Sequence, residues 1–316
     1  MPFLLDNLPS KIKFFQQVLQ AYQYVRAYQS NNPSYFRFRK EGRYGVIDAD
    51  GRIIVPAEYD YIGGMAEDVI VARANGLYGC FDKNGKVVVP FEYEEIREYV
   101  GGQARIRLMQ RFGFIDKVGN IVVAPFSDEV ENFTEGLALV TIKNKLGFVN
   151  PQGDWVAVPM YDDACSFSGG LAYVSHNGKY GYIDKTGTFV IPMQYDKATA
   201  FNQTYEMACV SLNGKWGIIS KDGKVVVPIE YDAVEISADG FVSIKSGGKY
   251  GIYSREGKMI YPAVCESIKK DMAGRMFQCG AADASQDGQR IRVDVNGNLV
   301  YQYSSFVETT GPQYSL

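Results

Sequence analysis

Seven acidic residues recur along the sequence at nearly constant spacing, and carboxylates in a regular row could bind metal ions. The interval between them is 34 residues in every case but one, where it is 36. They are Asp60, Glu94, Asp128, Asp162, Asp196, Asp232 and Glu266. Hard cations such as Ca²⁺ prefer oxygen ligands, but one acid per interval supplies few of them. We therefore expect each carboxylate to bond backbone amides or a neighbouring basic residue.

A row of basic residues follows the same period and could engage an acidic partner. It consists of Arg43, Arg111, Lys145, Lys179, Lys215 and Lys249, with Leu77 at the one position where the base is missing. Exposed charges at a strand edge also discourage one sheet from pairing with another, which is the more common role of such a pattern. Ion pairs with the acidic row are a third possibility.

Residues suited to catalysis are scarce. His176 is the only histidine, which excludes a site with several His ligands and leaves room for at most one His-based triad. The sequence contains no phosphate-binding loop, nucleophile elbow or dinucleotide fingerprint. We therefore predict no catalytic residue, no metal and no cofactor. A pair of carboxylates for glycoside hydrolysis is the enzymatic alternative.

Charge and cysteine content indicate which classes of partner and which cellular compartment to expect. Lys plus Arg total 33 against 36 Asp plus Glu, a net charge of −3, which argues against nucleic acid as a partner. No apolar run reaches the about 18 residues of a membrane helix, so no membrane insertion is expected. Five cysteines without a CxxC pair indicate reduced thiols. A cytoplasmic protein is the expectation, and a secreted form whose signal has been removed is the alternative.

Glycines define the elements that position both rows. Gly45, Gly79, Gly113, Gly147, Gly181, Gly217 and Gly251 repeat at 34 residues, with one interval of 36. A fixed period in this range indicates a stacked array of units. In each unit, alternating large residues, a turn with a second glycine, a β-branched run and a closing proline are typical of a β-hairpin. An upstream strand completes a predicted three-stranded meander.

Two details of the unit carry further predictions. In the third and fourth copies the proline, Pro125 or Pro159, stands one residue later than elsewhere, which predicts a bulge in those copies. A large side chain precedes each anchor glycine, as Trp216 precedes Gly217. We expect these side chains to stack in the core, so that Trp216→Ala costs about 3–5 kcal/mol. Exposed platforms for sugar stacking are the alternative.

The segments GKWGII at 214–219 and GKYGYID at 178–184 resemble the bacterial WG-repeat family. The resemblance covers roughly residues 34–266. Only Trp216 supplies the family's tryptophan; other rings replace it in most copies, and Leu146 departs from the pattern. The resemblance implies repeated β-hairpins and a binding or scaffold role without one common reaction.

The predicted fold is all-β, with three parts. Residues 1–33 form an N-terminal cap with an amphipathic helix from Ser10 to Gln29, residues 34–266 form seven repeats, and residues 267–316 form a degenerate eighth repeat and a tail. Because the two ends differ, we expect an open superhelical or solenoid array, with a closed propeller-like ring as the alternative.

The predicted function is a non-catalytic scaffold that binds another protein along its repeat surface. A carbohydrate or cell-surface binding module is the second hypothesis, because exposed rings could stack on sugars. An enzyme on a propeller-like fold is the third.

Overall fold

A computed structural model of the protein describes residues 24–27 and 35–303. The chain divides into two compact units, Met1–Met160 and Tyr161–Leu316. The described residues form strands and turns, and none of them lies in a helix that could cross a membrane. The fold of this part of the chain is therefore all-β, as predicted.

The first four sheets are antiparallel meanders of four strands, each in chain order. The first has β1 (Tyr24–Ala27), β2 (Tyr35–Lys40), β3 (Arg43–Asp48) and β4 (Ile53–Tyr59), and the second has β5 (Tyr61–Ala66), β6 (Val69–Ala74), β7 (Leu77–Asp82) and β8 (Val87–Tyr93). The third has β9 (Glu95–Ile96), β10 (Gln103–Leu108), β11 (Arg111–Asp116) and β12 (Ile121–Ser127), and the fourth has β13 (Glu129–Val130), β14 (Ala138–Ile142), β15 (Lys145–Val149) and β16 (Trp155–Tyr161).

Four more sheets follow, and the last of them has five strands. The fifth has β17 (Asp163–Ala164), β18 (Leu171–His176), β19 (Lys179–Asp184) and β20 (Phe189–Tyr195), and the sixth has β21 (Lys197–Ala198), β22 (Met207–Leu212), β23 (Lys215–Ser220) and β24 (Val225–Tyr231). The seventh has β25 (Ala233–Ile236), β26 (Val242–Ser246), β27 (Lys249–Tyr253) and β28 (Met259–Cys265), and the eighth has β29 (Ser267–Ile268), β30 (Phe277–Gln278), β31 (Ala281–Gln286), β32 (Gln289–Asp294) and β33 (Leu299–Tyr303).

The first seven sheets each contain one strand more than the predicted three-stranded meander, and the eighth contains two more. From the second sheet onward an additional strand comes directly after an acid of the predicted row, and in β9, β17 and β21 it has only two residues. Two residues are too short to show the alternation by which strands are recognised in a sequence. A single residue, such as Asp196 between β20 and β21, therefore separates the last strand of one sheet from the first strand of the next.

The predicted N-terminal helix is wrong over Tyr24–Ala27, which form β1. Strand β1 pairs antiparallel with β2, with Val25 opposite Phe38. Strand β1 occupies the place that the short first strand holds in other sheets. There it hydrogen-bonds backbone groups that would otherwise be exposed along the edge of β2. This pairing outweighs the helical spacing of the apolar residues. The rest of the predicted helix lies outside the described residues.

The anchor glycine is required because the following strand passes very close to it. A Cβ at Gly181 would lie 2.7 Å from both the Ile191 oxygen and the Met193 nitrogen. The pairing register shifts at this point, from Tyr180 opposite Tyr195 to Tyr182 opposite Ile191. The irregularity lets the backbone of β20 approach the side of β19 that carries no side chain.

The same irregularity occurs in other repeats, which corrects the prediction of a bulge in only two of them. In the third sheet Phe112 is opposite Ser127 and Phe114 is opposite Val123. The offsets match those of the first sheet, where Tyr44 is opposite Tyr59. The proline of the third repeat therefore stands one residue later within β12, but the strand has no additional residue.

The turn glycine has a positive φ and a tight neighbour. Gly85 has φ 83°, and the side chain of Asp82 braces the same turn by accepting hydrogen bonds from the amides of Asn84 and Lys86, both at 2.9 Å. A Cβ at Gly85 would lie 1.9 Å from the Ile54 oxygen. The turn of the second sheet therefore packs directly against β4 of the first.

The cores lie between consecutive sheets of each unit. Val46 and Val55 of the first sheet, for example, pack with Ile62 and Ile70 of the second. The residue that follows the anchor glycine is fully buried in every repeat: Val46, Cys80, Phe114, Phe148, Tyr182, Ile218 and Ile252. The next residue along, such as Ile47 or Ile183, points to the other face and is also buried, so both faces of the central strands are covered.

The large side chains before the anchor glycines are half-buried, and several of them, such as Tyr180, pack against the cores as predicted without being enclosed by them. Tyr180 and Trp216 are both of this intermediate kind, whereas Tyr182 and Ile218 are inaccessible to solvent. Side chains two residues apart on a strand point to the same face of the sheet, so Tyr180 and Tyr182 lie on one face. Tyr180 lies nearer the turn at the start of β19, where the sheet is less covered.

Candidate functional site

Within each unit, acids of the predicted row lie at the crossings between consecutive sheets and bond to both sheets. Asp196 accepts a hydrogen bond from Lys179 Nζ at 2.6 Å on its Oδ1. Its Oδ2 accepts the backbone N–H of Asn213, also at 2.6 Å, from the turn between β22 and β23. Each such carboxylate ties the central strand of one sheet to a turn of the next.

The same arrangement recurs with small changes at the other acids. Asp232 accepts hydrogen bonds from Lys215 Nζ at 2.7 Å and from the Gly247 amide at 2.8 Å. Glu266 accepts them from Lys249 Nζ at 2.7 Å and from the Asp287 amide at 3.0 Å. Asp128 pairs with Arg111 and accepts the Lys143 amide, and Asp60 pairs with Arg43. Asp162 accepts the amide of Asn177 at 2.8 Å. Glu94 differs, because Leu77 offers it no base: it forms an ion pair with Arg107, whose Nε lies 3.1 Å from Oε2, and it accepts a hydrogen bond from the Gln110 amide at 3.2 Å.

The basic row is therefore engaged by the acidic row. Five of its members, Arg43, Arg111, Lys179, Lys215 and Lys249, form these ion pairs, and Lys145 also has an interaction partner. Their side chains are about half exposed, but the positive charge of each described pair is opposed by a carboxylate. The two rows together form an inter-sheet clip.

Hydrogen bonding holds the carboxylates of this clip in the charged form. The Lys179 ammonium, followed by the Asn213 amide, lowers the pKa of Asp196. The ammonium of Lys215 does the same for Asp232, and that of Lys249 for Glu266. These acids are ionised at neutral pH, and the pairs should persist until the solution becomes strongly acidic.

A row of exposed apolar side chains lies at the start of the last strands, the opposite end of those strands from the acids. The first residue of the last strand of each regular sheet is apolar, and most of these side chains are about half exposed. Unit 1 has Ile53 at 51%, Val87 at 46% and Ile121 at 48%, and unit 2 has Phe189 at 44%, Val225 at 56%, Met259 at 47% and Leu299 at 53%. Trp155 holds the same position in β16 and is half-buried. These residues are called the apolar row below.

A cavity of about 620 Å³ opens in unit 1 beside the second and third sheets. Its lining includes Tyr61 and Tyr78 of the second sheet, Glu95 of β9, Arg97 and Glu98 from the following loop, and Asn132 from the loop after β13. The centroids of the two tyrosine rings are 6.4 Å apart and the rings meet edge to face. The cavity thus combines aromatic surface with several hydrogen-bonding groups.

The charged groups of the cavity are unequally engaged. Glu95 Oε1 bonds Arg97 Nε at 2.6 Å and Arg105 Nη2 at 3.2 Å. Burial alone would raise the pKa of Glu95, but the hydrogen bonds from the two arginines outweigh it and lower that pKa. Among the described residues, no hydrogen bond or ion pair engages the side chains of Glu98 and Asn132. These two groups therefore remain available to a ligand.

Groups for metal binding or nucleophilic attack do not assemble in the described part of the chain. No three or more His, Cys, Asp and Glu side chains come together there to hold a metal ion. His176 lies at the surface with its Nδ1 3.7 Å from Asp162 Oδ2. Burial raises the pKa of Cys80 to about 12 and that of Cys209 to about 11, so both thiols are protonated at neutral pH.

The repeat that contains these features matches a known family. The family model described as WG containing repeat matches residues 44–78, 78–108, 112–145, 147–180, 180–216 and 216–250. The chain belongs to the WG containing repeat family. Each match begins at or beside an anchor position, so the boundaries of the family repeat fall in the central strands of the sheets.

Solved structures with similar chain traces have low sequence identity to these WG repeats. A eukaryotic initiation factor has 10% identity and a TM-score of 0.34, with 87% of this chain and 96% of that one covered. Hsv2 of Kluyveromyces lactis has 11% identity and a TM-score of 0.32, with 73% and 87% covered. At TM-scores below 0.5 these likenesses carry no argument about fold or function. No curated protein matches the chain.

The apolar row and the cavity were not among the residues singled out from the sequence. The row could have been found there, because an apolar residue stands eight positions after every anchor glycine of the WG repeats. The cavity could not, because its lining comes from three repeats and Tyr61 stands at a different repeat position from Glu98 and Asn132, which are equivalent residues of consecutive repeats. Only the packing of three sheets brings them together.

Proposed function

We propose that the protein is a non-catalytic scaffold that binds another protein through the apolar row. The observation that carries this proposal is the recurrence of one exposed apolar side chain at the same edge of successive sheets in each unit. Scattered single apolar residues at a surface need no explanation, but a regular line of them is typical of an interaction site.

The strands that carry the row favour contact through side chains. Strands β4, β8, β20 and β24 are each the last in their sheet, so one edge of each has no neighbouring strand in that sheet. A proline stands three residues after the row position in these strands, as Pro228 follows Val225. Proline removes an N–H from the ladder and discourages the addition of another strand. The apolar side chains remain as the available contact.

Charges beside the apolar row indicate which charges a partner surface would carry. The residue that precedes the row position is basic in four repeats: Arg52, Lys86, Lys224 and Lys258. All four are exposed, and Lys224 is paired with Asp222. A protein surface with apolar side chains flanked by carboxylates would complement this edge.

Substitution of the row in one unit tests the proposal. The variant Phe189→Ser, Val225→Ser, Met259→Ser should remain folded and melt at most a few degrees lower, because each replaced side chain is already about half exposed. It should lose proteins that the parent retains in cross-linking and affinity capture. The control variant Met109→Ser, Met272→Ser changes apolar residues that are 83% and 108% exposed and lie outside the row. Equal capture by all three proteins would contradict the proposal.

The absence of catalysis, the absence of a cofactor and the compartment are part of the same proposal. The protonated thiols and the engaged carboxylates support a binding protein, and the free cysteines are compatible with the cytoplasm. Substrate screening of the purified protein tests the first point, since a turnover abolished by one Asp or Glu substitution would overturn it. Cell fractionation tests the compartment. The open array expected from the dissimilar ends is tested by small-angle X-ray scattering.

A further inference from the structure

The cavity of unit 1 is a single feature within a regular array. Tyr61 occupies the first position of β5, where the next three sheets carry Glu95, Glu129 and Asp163. Strand β5 has six residues, whereas β9 and β13 have two, and its register is irregular between Ile62 and Met65. Packing uses a position in every repeat, whereas a ligand site uses a few, so this departure indicates a site rather than a framework element.

The aromatic part of the cavity offers an exposed ring beside a partly buried one. Tyr61 is 42% exposed and packs against the edge of Tyr78. Tyr61, Arg73 and Tyr78 stand opposite one another across β5, β6 and β7. The Arg73 guanidinium lies 5.8 Å from the centre of the Tyr78 ring. That ring already has a cation beside it, which disfavours a second cation from a ligand.

The charges of the cavity do not favour an anion either. Its lining holds the two carboxylates of Glu95 and Glu98 and the one guanidinium of Arg97. Arg97 is committed to Glu95, so the unengaged charge is the Glu98 carboxylate. An anionic ligand would meet this like charge, and no base among the lining residues is free to compensate for it; the Arg73 guanidinium lies outside the lining, against the Tyr78 ring.

The unengaged polar groups fit a ligand with many hydroxyl groups. Among the described residues, no hydrogen bond engages the phenol groups of Tyr61 and Tyr78, the carboxylate of Glu98 or the amide of Asn132. Together they offer acceptors and donors around an aromatic surface, while the Glu95–Arg97 pair supplies a fixed polar wall. A volume of about 620 Å³ is within the range of small-molecule sites.

We propose that this cavity binds a neutral carbohydrate, with a sugar ring stacked on Tyr61 and hydrogen-bonded to Glu98 and Asn132. The site is separate from the apolar row and does not depend on the proposed protein partner. The CH groups of a sugar face supply the apolar contact with the ring, and its hydroxyl groups satisfy the free polar side chains.

Isothermal titration calorimetry of the full chain with maltotetraose, cellotetraose, chitotetraose and tetragalacturonate tests the proposal. At least one neutral tetrasaccharide should bind, and tetragalacturonate should bind at least tenfold more weakly. Tyr61→Ala should weaken the neutral sugar by tenfold or more, and Asn132→Ala by about three- to tenfold, the equivalent of roughly one lost hydrogen bond. Unchanged melting temperatures show that the variants are folded.

Phe126→Ala is the matched control, because Phe126 is an aromatic residue of similar exposure, 44%, outside both the cavity and the apolar row. It should leave sugar binding unchanged. The proposal fails if no neutral tetrasaccharide binds, if Tyr61→Ala and Phe126→Ala bind equally, or if tetragalacturonate binds best. Binding of an unstructured tetrapeptide, such as Ac-Ala-Ser-Ala-Ser-NH2, that is as tight as the sugar and equally dependent on Tyr61 would assign the cavity to peptides and also overturn it.

Discussion

The second and sixth sheets are built on the same repeat, yet their edges differ. In the sixth, Lys215 and the Gly247 amide both bond Asp232, and the first strand, β21, has two residues. In the second, Leu77 replaces the base, and the first strand, β5, has six residues with an irregular register. The regular sheet carries a complete inter-sheet clip, and the irregular one carries the cavity.

This difference separates residues that hold the array together from residues that are free to vary. Glu94 still bonds two groups of the third sheet, Arg107 and the Gln110 amide, so the second sheet remains attached without its own base. The loss of one partner is tolerated because the core between the two sheets is intact around Val89 and Ile106. Departures from the repeat therefore indicate function most strongly where the core is unchanged.

The largest expected effect comes from the turn glycines of these two sheets. Gly85 and Gly223 have φ values of 83° and 79°, so an alanine is strained at either by about 1–3 kcal/mol. At Gly85 the new Cβ would also lie 1.9 Å from the Ile54 oxygen, whereas at Gly223 the nearest atom, in the Ile191 side chain, is 3.4 Å away. Gly85→Ala should therefore lose about 2–6 kcal/mol in chemical denaturation. Equal losses would show that the close approach does not matter.

The second prediction compares the two sides of an anchor glycine in the sixth sheet. Ile218 is completely buried, so Ile218→Ala should reduce the free energy of unfolding by about 2–5 kcal/mol. Trp216 is half-buried, so Trp216→Ala should cost about 1–2 kcal/mol, less than the sequence suggested. Urea titrations of both variants measure the difference. If Trp216→Ala lost more unfolding free energy than Ile218→Ala, Trp216 would count as a core residue.

How far the sequence could predict this structure depends on how local each feature is. The turn at Gly85 was predictable, because the Asp82 brace and the positive φ arise within one hairpin. The sequence predicted that each acid of the row bonds a base or a backbone amide, but not which ones. Asp196 bonds Lys179 of the preceding sheet and the Asn213 amide of the next. The strand at Tyr24–Ala27 was missed because pairing with β2 overrides its local helical pattern.

Acid should weaken the clip of the sixth sheet. Hydrogen bonds from Lys215 and then Gly247 lower the pKa of Asp232 in the folded protein. Its stabilising effect is therefore present above the unfolded pKa of about 3.9 and is lost as the pH falls through the lower folded value. Asp232→Asn should melt a few degrees below the parent at pH 7, and the gap should close below about pH 4. A gap that stays constant with pH would exclude the charged clip as its cause.

The smallest effect is expected from restoring the missing base of the second sheet. Leu77→Lys places an ammonium where the other repeats carry one, in reach of Glu94, which now bonds Arg107. Because this site is exposed, the new pair should contribute only about 0.2–1 kcal/mol. A double-mutant cycle of Leu77→Lys with Glu94→Gln measures that contribution, and high salt should reduce it. If the coupling is zero, Arg107 already satisfies Glu94, and the second sheet has exchanged one clip for another rather than lost it.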